Sequence, residues 1–338
     1  MIKIKLVQPE LHRNECTFRP FLYAQNTLRE IGIEFTQGDS YDFAWIAQAS
    51  FINKKVSLEQ SVNDGLEFLS SITGDYMLID GQDSTTLLGS YEVFKQSNAL
   101  LLLKNSLLKD RSLYKQGWNL GRYYWGEGEY KLDDFDSYTD KIILSGTNWI
   151  ATHWAGIQRR WYQIEKIYDV AAMFQYPTLN SSMEHGINQS LHYDTFRKPA
   201  IDVINKLNCS VAKLTNGIRV STEEYYNRVS KSKITIAPFG YGEMAPRDIE
   251  AAMFGSILIK PDMSYIDTAP NFYIDGETYI ACKHDFSDLQ EKIEIVLGNY
   301  KHYSYIIENS RNKILEIMNP ENIALSVYNI FKQLPCIQ

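Results

Sequence analysis

Hydrophobic and polar positions along the first third of the chain alternate between two periods. Ile2–Val7 sets isoleucine and leucine against lysines with period two and stops at Gln8-Pro9, so a first strand is expected there. Phe18–Ile31 carries apolar residues at helical spacing and ends at Gly32, a helix stop. The run YDFAWIAQA (Tyr41–Ala49) reads as a buried strand. Ser57–Ile72 opens with Ser57-x-x-Gln60, a capping-box pattern, and continues as a helix. Asp75–Ile79 predicts a strand, the turn Asp80-Gly81-Gln82-Asp83 follows, then a helix over Thr85–Gln96 and a strand over Ala99–Leu103. Strands alternating with helices imply parallel pairing in an open, doubly wound sheet.

Residues 110–150 interrupt this rhythm. GWNLGRYYWGEGEY (Gly117–Tyr130) is dense in glycine and aromatics, and the acidic stretch Asp133–Asp140 follows. A long surface excursion is expected here, and long structured loops are often functional. Gly156–Ile167 reads as a helix or connector. A second alternating series then begins. Strands are expected at Asp169–Phe174, Ser210–Lys213, Lys233–Ala237 and Ser256–Ile259. Helices are expected at Tyr193–Leu207, Ser221–Ser230, Pro246–Phe254, Ser287–Leu297 and Ser304–Met318, with a last one at Glu321–Lys332 after Pro320. The expected fold class is α/β, with two doubly wound Rossmann-like domains facing a cleft. The first spans 1–155, the second 165–318, and residues 319–338 form a C-terminal helix and tail.

The length of 338 residues suits about two domains. Hydrophobic residues at 44% and charged residues at 22% are those of an ordinary globular chain, which excludes a disordered, collagen-like or coiled-coil protein. No apolar run is long enough to span a bilayer, and lysines inside the first apolar stretch argue for a strand over a signal peptide. The four cysteines lie far apart with no CxxC pair, as buried thiols of a reducing compartment do, so a cytoplasmic location is expected. The net charge of -7 and the lack of a dense Lys/Arg run weigh against a nucleic-acid partner.

The densest chemistry lies in KITIAPFGYGEMAPRDIEAAMFGSILIKP (Lys233–Pro261): strand, Gly-rich turn, helix, Gly, strand. Gly240 and Gly242 allow a sharp turn and a close ligand approach. Pro246 suits the first turn of a helix, whose unpaired N–H groups and positive dipole end suit a diphosphate. Arg247 in that turn offers a bidentate contact to a phosphate oxygen. Glu250, one turn on, is placed to accept two adjacent sugar hydroxyls, as acidic residues do for ribose. Ala251, Ala252 and Gly255 are small enough for close packing of helix on sheet. The plainer alternative is an exposed Arg247–Glu250 ion pair on an ordinary strand–turn–helix unit.

PRDIEAAMFGSILI, with NFYIDGETYI (Asn271–Ile280) and DFSDLQEKI (Asp285–Ile293), resembles the donor-binding half of GT-B nucleotide-sugar glycosyltransferases, in the group with a spore-protein-like C-terminal domain. The resemblance covers about residues 165–334 and is looser over 1–150. It implies transfer of a sugar from a nucleotide-sugar donor to a hydroxyl of a glycan, lipid-linked or protein acceptor, without a metal or other cofactor, and a C-terminal helix that crosses back to the first domain. Carried onto matching positions, it implies that Glu250 holds the donor ribose, that Arg247 stands where an arginine is frequent, and that Gly240, Tyr241, Gly242 and Glu243 form the loop facing the donor. The acidic pair Glu243 and Glu250 is one residue closer than in the retaining pattern Glu-x7-Glu, so the stereochemical outcome stays open.

Other candidates lie outside this stretch. Arg197 and Lys198, after a strand and a long loop, are cations available to a departing diphosphate. An inverting mechanism needs a general base, and Asp80 and Asp83 follow a strand and are expected to face the cleft; turn chemistry is the alternative. Tyr123, Tyr124 and Trp125 offer aromatic faces for an acceptor. Asp133, Asp134 and Asp136 form no convincing DxD site, so no metal is expected. Two other readings compete: a transferase of the same fold acting on modified DNA bases, disfavoured by the acidic charge, and a sugar-nucleotide-binding homologue without catalysis.

Overall fold

The structure, a computed structural model, describes residues 1–8, 15–53, 55–116, 131–145, 164–176, 183–184, 187–214, 218–240 and 242–334. It divides into two compact units. Met1–Thr152, Ile266–Pro270 and Glu316–Gln338 form the first; His153–Tyr265 and Asn271–Leu315 form the second.

In the first unit, strands β1 (Ile2–Val7), β2 (Ile33–Thr36), β3 (Phe43–Ala47), β4 (Asp75–Asp80), β5 (Leu102–Lys104) and β7 (Ile142–Leu144) pair in the order β2-β1-β3-β4-β5-β7. Every pair in this sheet is parallel. β3 is buried along its whole length, as its unbroken apolar run requires of a central parallel strand. One face is covered by α1 (Glu15–Tyr23), α2 (Gln25–Glu30) and the C-terminal helix, whose Phe18, Phe21, Leu28, Val327 and Phe331 join Ile4, Trp45 and Met77 in one core. Phe331 stacks on Trp45 with ring centroids 6.1 Å apart. The last helix therefore returns to the first unit, as expected from the sequence.

Helices α3 (Leu58–Ser70) and α4 (Ser90–Gln96) also belong to this unit. Ser57 caps α3, its hydroxyl accepting the Gln60 N–H at 3.1 Å. Gly65 in α3 presses on the backbone: a Cβ built there would lie 2.3 Å from the Phe51 carbonyl oxygen. The helix expected over Thr85–Gln96 begins at Ser90, because Gly89 adopts φ +83 and ends the preceding turn. The excursion over 110–150 is partly core. Leu132 and Phe135 are buried, with Phe135 packed 4.8 Å from the ring of Tyr114, which lies on α5 (Leu113–Gln116). β7 then adds to the sheet edge. A two-stranded antiparallel pair joins β6 (Ser106–Leu108) to β14 (Ile266–Thr268), short strands without a readable period.

The second unit repeats the winding. β8 (Tyr168–Ala172), β11 (Val211–Lys213), β12 (Ser232–Ile236), β13 (Ile257–Pro261) and β15 (Ile280–Cys282) run parallel in the order β11-β8-β12-β13-β15. Numbered within each unit, both sheets begin 2-1-3-4-5. Helices α6 (Gln189–Ile204), α9 (Leu289–Gly298) and α11 (Tyr305–Ile317) cover one face through Ala200, Ile204, Ile293 and Ile306. α7 (Thr222–Ser230), capped by Ser221, and α8 (Pro246–Met253) connect the strands on the other side of the reversal. The second unit also holds the short pair β9 (Met183–Glu184) and β10 (Ile187–Asn188) and the one-turn α10 (Tyr300–Tyr303).

Just before β8, Lys166 Nζ donates to the Ser230 carbonyl at 2.7 Å and the Phe254 carbonyl at 3.1 Å, satisfying the ends of α7 and α8. Burial pushes its ammonium down to about 8.

Two outcomes are expected. Gly65→Ala forces α3 off the Phe51 backbone and lowers stability by about 1–3 kcal/mol, read as a reduced urea midpoint. Lys166 releases its proton near pH 8 in the native state, whereas an exposed lysine holds it to about 10.5, so stability rises with pH between those values. Lys166→Met removes that rise, which is at most about 1.4 kcal/mol per pH unit; unfolding at pH 7.5 and 9.5 checks it.

Candidate functional site at the carboxyl edge of the second sheet

In a 2-1-3-4-5 sheet the chain reverses its winding between the first and third strands, and ligands bind beyond the carboxyl ends there. In the second unit that point lies between β8 and β12. Phe174 follows β8, and the turn Ala237–Gly240 follows β12. The guanidinium of Arg247, at the start of α8, lies 5.8 Å from the centroid of the Phe174 ring. Its Nε is buried with no hydrogen-bond partner. From α6, the buried Arg197 donates through Nη1 to the Gln175 carbonyl at 3.1 Å. Two arginines thus meet the segment that leaves β8.

Helix α8 is built for close approach. Pro246 occupies its first position after Ala245 in extended backbone. Ala251 and Ala252 are buried. At the far end Gly255 takes φ +68, Ser256 N–H donates to the Ala251 carbonyl at 2.9 Å, and Gly255 N–H donates to Ala252 at 3.3 Å. This pair of bonds is a Schellman closure, which needs a left-handed residue. It is the physical content of the Glu-Ala-x-x-x-Gly spacing: the glycine ends the helix five residues after Glu250 and drops the chain into β13.

Glu250 is 6% exposed, and its Oε2 accepts the Tyr225 hydroxyl from α7 at 2.6 Å. Burial and the Glu250 carboxylate push the Tyr225 phenol well above its ordinary value, and Arg247 opposes them. The Tyr225 hydroxyl is thus the donor in this bond and orients the Glu250 carboxylate.

Asp248 and Lys260 were missed by sequence reading. Both are buried, with Asp248 in the first turn of α8 and Lys260 near the end of β13. Lys260 Nζ donates to Asp248 Oδ2 at 2.6 Å and to the Glu243 carbonyl at 2.7 Å. The Ala245 N–H (3.0 Å) and the Tyr273 hydroxyl (2.6 Å) donate to the same Oδ2. Asp248 Oδ1 is buried without a partner. Burial lowers the affinity of Lys260 for its proton, and Asp248 opposes that shift. The available signal was a lysine closing the apolar run Ser256–Ile259.

The remaining sequence candidates fall as follows. Gly240, Gly242 and Glu243 lie in the turn before α8, with Glu243 buried; Tyr241 lies outside the described residues, as do Tyr123, Tyr124 and Trp125. Lys198 is exposed and pairs with Asp202 one turn along α6, so the structure does not bring it to Arg247. Asp80 is not on an open turn. It ends β4, is wholly buried, and its Oδ1 lies 3.1 Å from the ammonium of Lys104, its partner in register on β5. Pairing across adjacent parallel strands draws both side chains inward. Asp83 is half-buried in the turn that follows. Among the described residues no group of three or more His, Cys, Asp or Glu side chains could hold a metal ion, and no helix is long and apolar enough to cross a membrane.

No family model and no curated protein matches the sequence. Solved structures do match it. HepE of Anabaena, in complex with UDP-glucose, is 9% identical with a TM-score of 0.51, over 99% of this chain and 100% of that one. Sucrose-phosphate synthase of Thermosynechococcus elongatus is 11% identical with a TM-score of 0.54, over 100% of both chains. The fold is that of the GT-B glycosyltransferases, two Rossmann-like domains with a returning C-terminal helix.

For Asp80, an ion pair with no exposed face predicts a stability effect. Asp80→Leu leaves Lys104 buried and uncompensated and costs about 3–5 kcal/mol, whereas Asp80→Leu with Lys104→Met costs less than the single change. Urea unfolding of the three variants against the parent checks the non-additivity.

Proposed function

We propose that this protein transfers a glycosyl group from a nucleotide-sugar donor to a hydroxyl acceptor, with the donor held at the carboxyl edge of the second sheet. The observation that carries the reading is the placement of Arg247 and Glu250 on successive turns of α8 at the reversal of strand order. There Arg247 lies on the Phe174 ring with an unpaired Nε. A diphosphate at the start of α8 would meet a helix N-terminus and a guanidinium. A ribose one turn further on would meet the Glu250 carboxylate, pre-oriented by Tyr225. HepE, with the same fold, is a complex with UDP-glucose, which supports a donor of this class.

In the transfer, the bond from the anomeric carbon to the terminal diphosphate oxygen breaks and its electron pair leaves with the diphosphate. A bond from that carbon to the acceptor oxygen forms, and the acceptor proton passes to the departing diphosphate or to solvent. The protein's part is to stabilise charge developing on the leaving diphosphate, through Arg247, the α8 dipole and Arg197. This set of groups needs no metal for that task. The full burial of Asp80 favours an architectural role for it.

A thermal-shift screen with UDP, GDP, ADP, CDP and TDP tests the reading. One nucleotide is expected to raise the apparent melting temperature by mass action, and Glu250→Ala to abolish most of that shift while remaining folded. The parent is expected to release that nucleotide slowly from the matching nucleotide sugar, by hydrolysis. No shift with any of the five, and no release, would overturn the proposal.

A further inference from the structure

We infer that Lys260 is a positioning residue for the donor diphosphate: it cancels the carboxylate of Asp248 under the start of α8 and anchors the turn that leads into that helix. The inference rests on the donor site proposed above. Asp248 puts a full negative charge in the first turn, where an anionic ligand is to be held. An acidic residue at that position stabilises a helix, but it opposes an incoming anion. Here the carboxylate is wholly buried, so bulk water screens it little.

The Lys260 ammonium is the compensating charge. It is 1% exposed and lies 2.6 Å from Asp248 Oδ2. Two aromatic faces also receive it, Tyr273 at 4.6 Å and Phe239 at 5.5 Å from the ring centroids. Its second bond, to the Glu243 carbonyl, reaches the Gly-rich turn. One side chain thus ties the end of β13 to the turn after β12 and to the first turn of α8. Stability alone gives little reason for such a pair, because apolar residues of similar volume commonly do as well. Its distinct consequences are electrostatic and geometric: the Asp248 charge under the helix start is neutralised, and the turn is anchored at the Glu243 carbonyl.

The test compares the parent with Lys260→Met, Asp248→Asn and the double variant. Affinity is measured by calorimetry for the nucleoside diphosphate that stabilises the parent most, and for the corresponding uncharged nucleoside. Lys260→Met is expected to weaken the diphosphate by about tenfold or more and the nucleoside by less than about twofold. The double variant is expected to regain the part of the loss that comes from the uncompensated Asp248 carboxylate, while the bond to the Glu243 carbonyl stays absent. Asp248→Asn, which keeps the lysine, is expected to bind the diphosphate at least as tightly as the parent, and it serves if Lys260→Met does not fold. Equal losses for both ligands, no recovery in the double variant, or weaker diphosphate binding by Asp248→Asn would overturn the role of Lys260. A parent that binds no nucleoside diphosphate would overturn the donor site as well.

Discussion

Reversal of the winding direction between β8 and β12 is the constraint from which the candidate site follows. Right-handed crossovers that add strands in opposite directions must pass over opposite faces of the sheet. The segments leaving β8 and β12 therefore part at the carboxyl edge, with α6 on one face and α8 on the other. Phe174 and Gln175 stand at that parting, with Arg197 arriving from one side and Arg247 from the other. The first unit shares the winding but uses the equivalent edge differently. Its buried Asp80–Lys104 pair joins neighbouring strands, and its C-terminal helix closes the face opened by α1 and α2.

Charge at the start of α8 is arranged in depth. Arg247 is half-buried, whereas Asp248 and Lys260 are both buried and in contact. Each of the two buried ions would be expensive alone, and together they satisfy three donors and the Glu243 carbonyl. Tyr225 does a comparable service for Glu250. Supporting side chains thus come from three elements besides α8 itself: α7, β13 and the segment holding Tyr273.

Legibility differed sharply between parts of the chain. Strands with period two or an unbroken apolar run, such as Ile2–Val7 and Phe43–Ala47, were readable because burial of one or both faces writes itself into the pattern. Among the short elements β11 is legible at Ser210–Lys213, but β2, β6, β7 and β14, with three or four residues each, are too short to show a period. The helix over Thr85–Gln96 was read too long, since Gly89 decides its start through a backbone angle and not through hydrophobicity. The aromatic and acidic stretch near residue 135 reads as surface, yet Phe135 fills a gap beside Tyr114.

Local sequence alone determined where α8 begins and ends, because Pro246 and the Gly255 turn act within a few residues of themselves. It also placed Arg247 and Glu250 one turn apart, a consequence of helical pitch. Only the tertiary structure decided which neighbours those side chains meet. Tyr225, Phe174, Tyr273 and Lys260 come from distant segments, and hydrogen bonds between such segments leave no period in the chain. The same holds for Asp80: its turn-like surroundings are local, whereas its burial depends on a lysine twenty-four positions away on the adjoining strand.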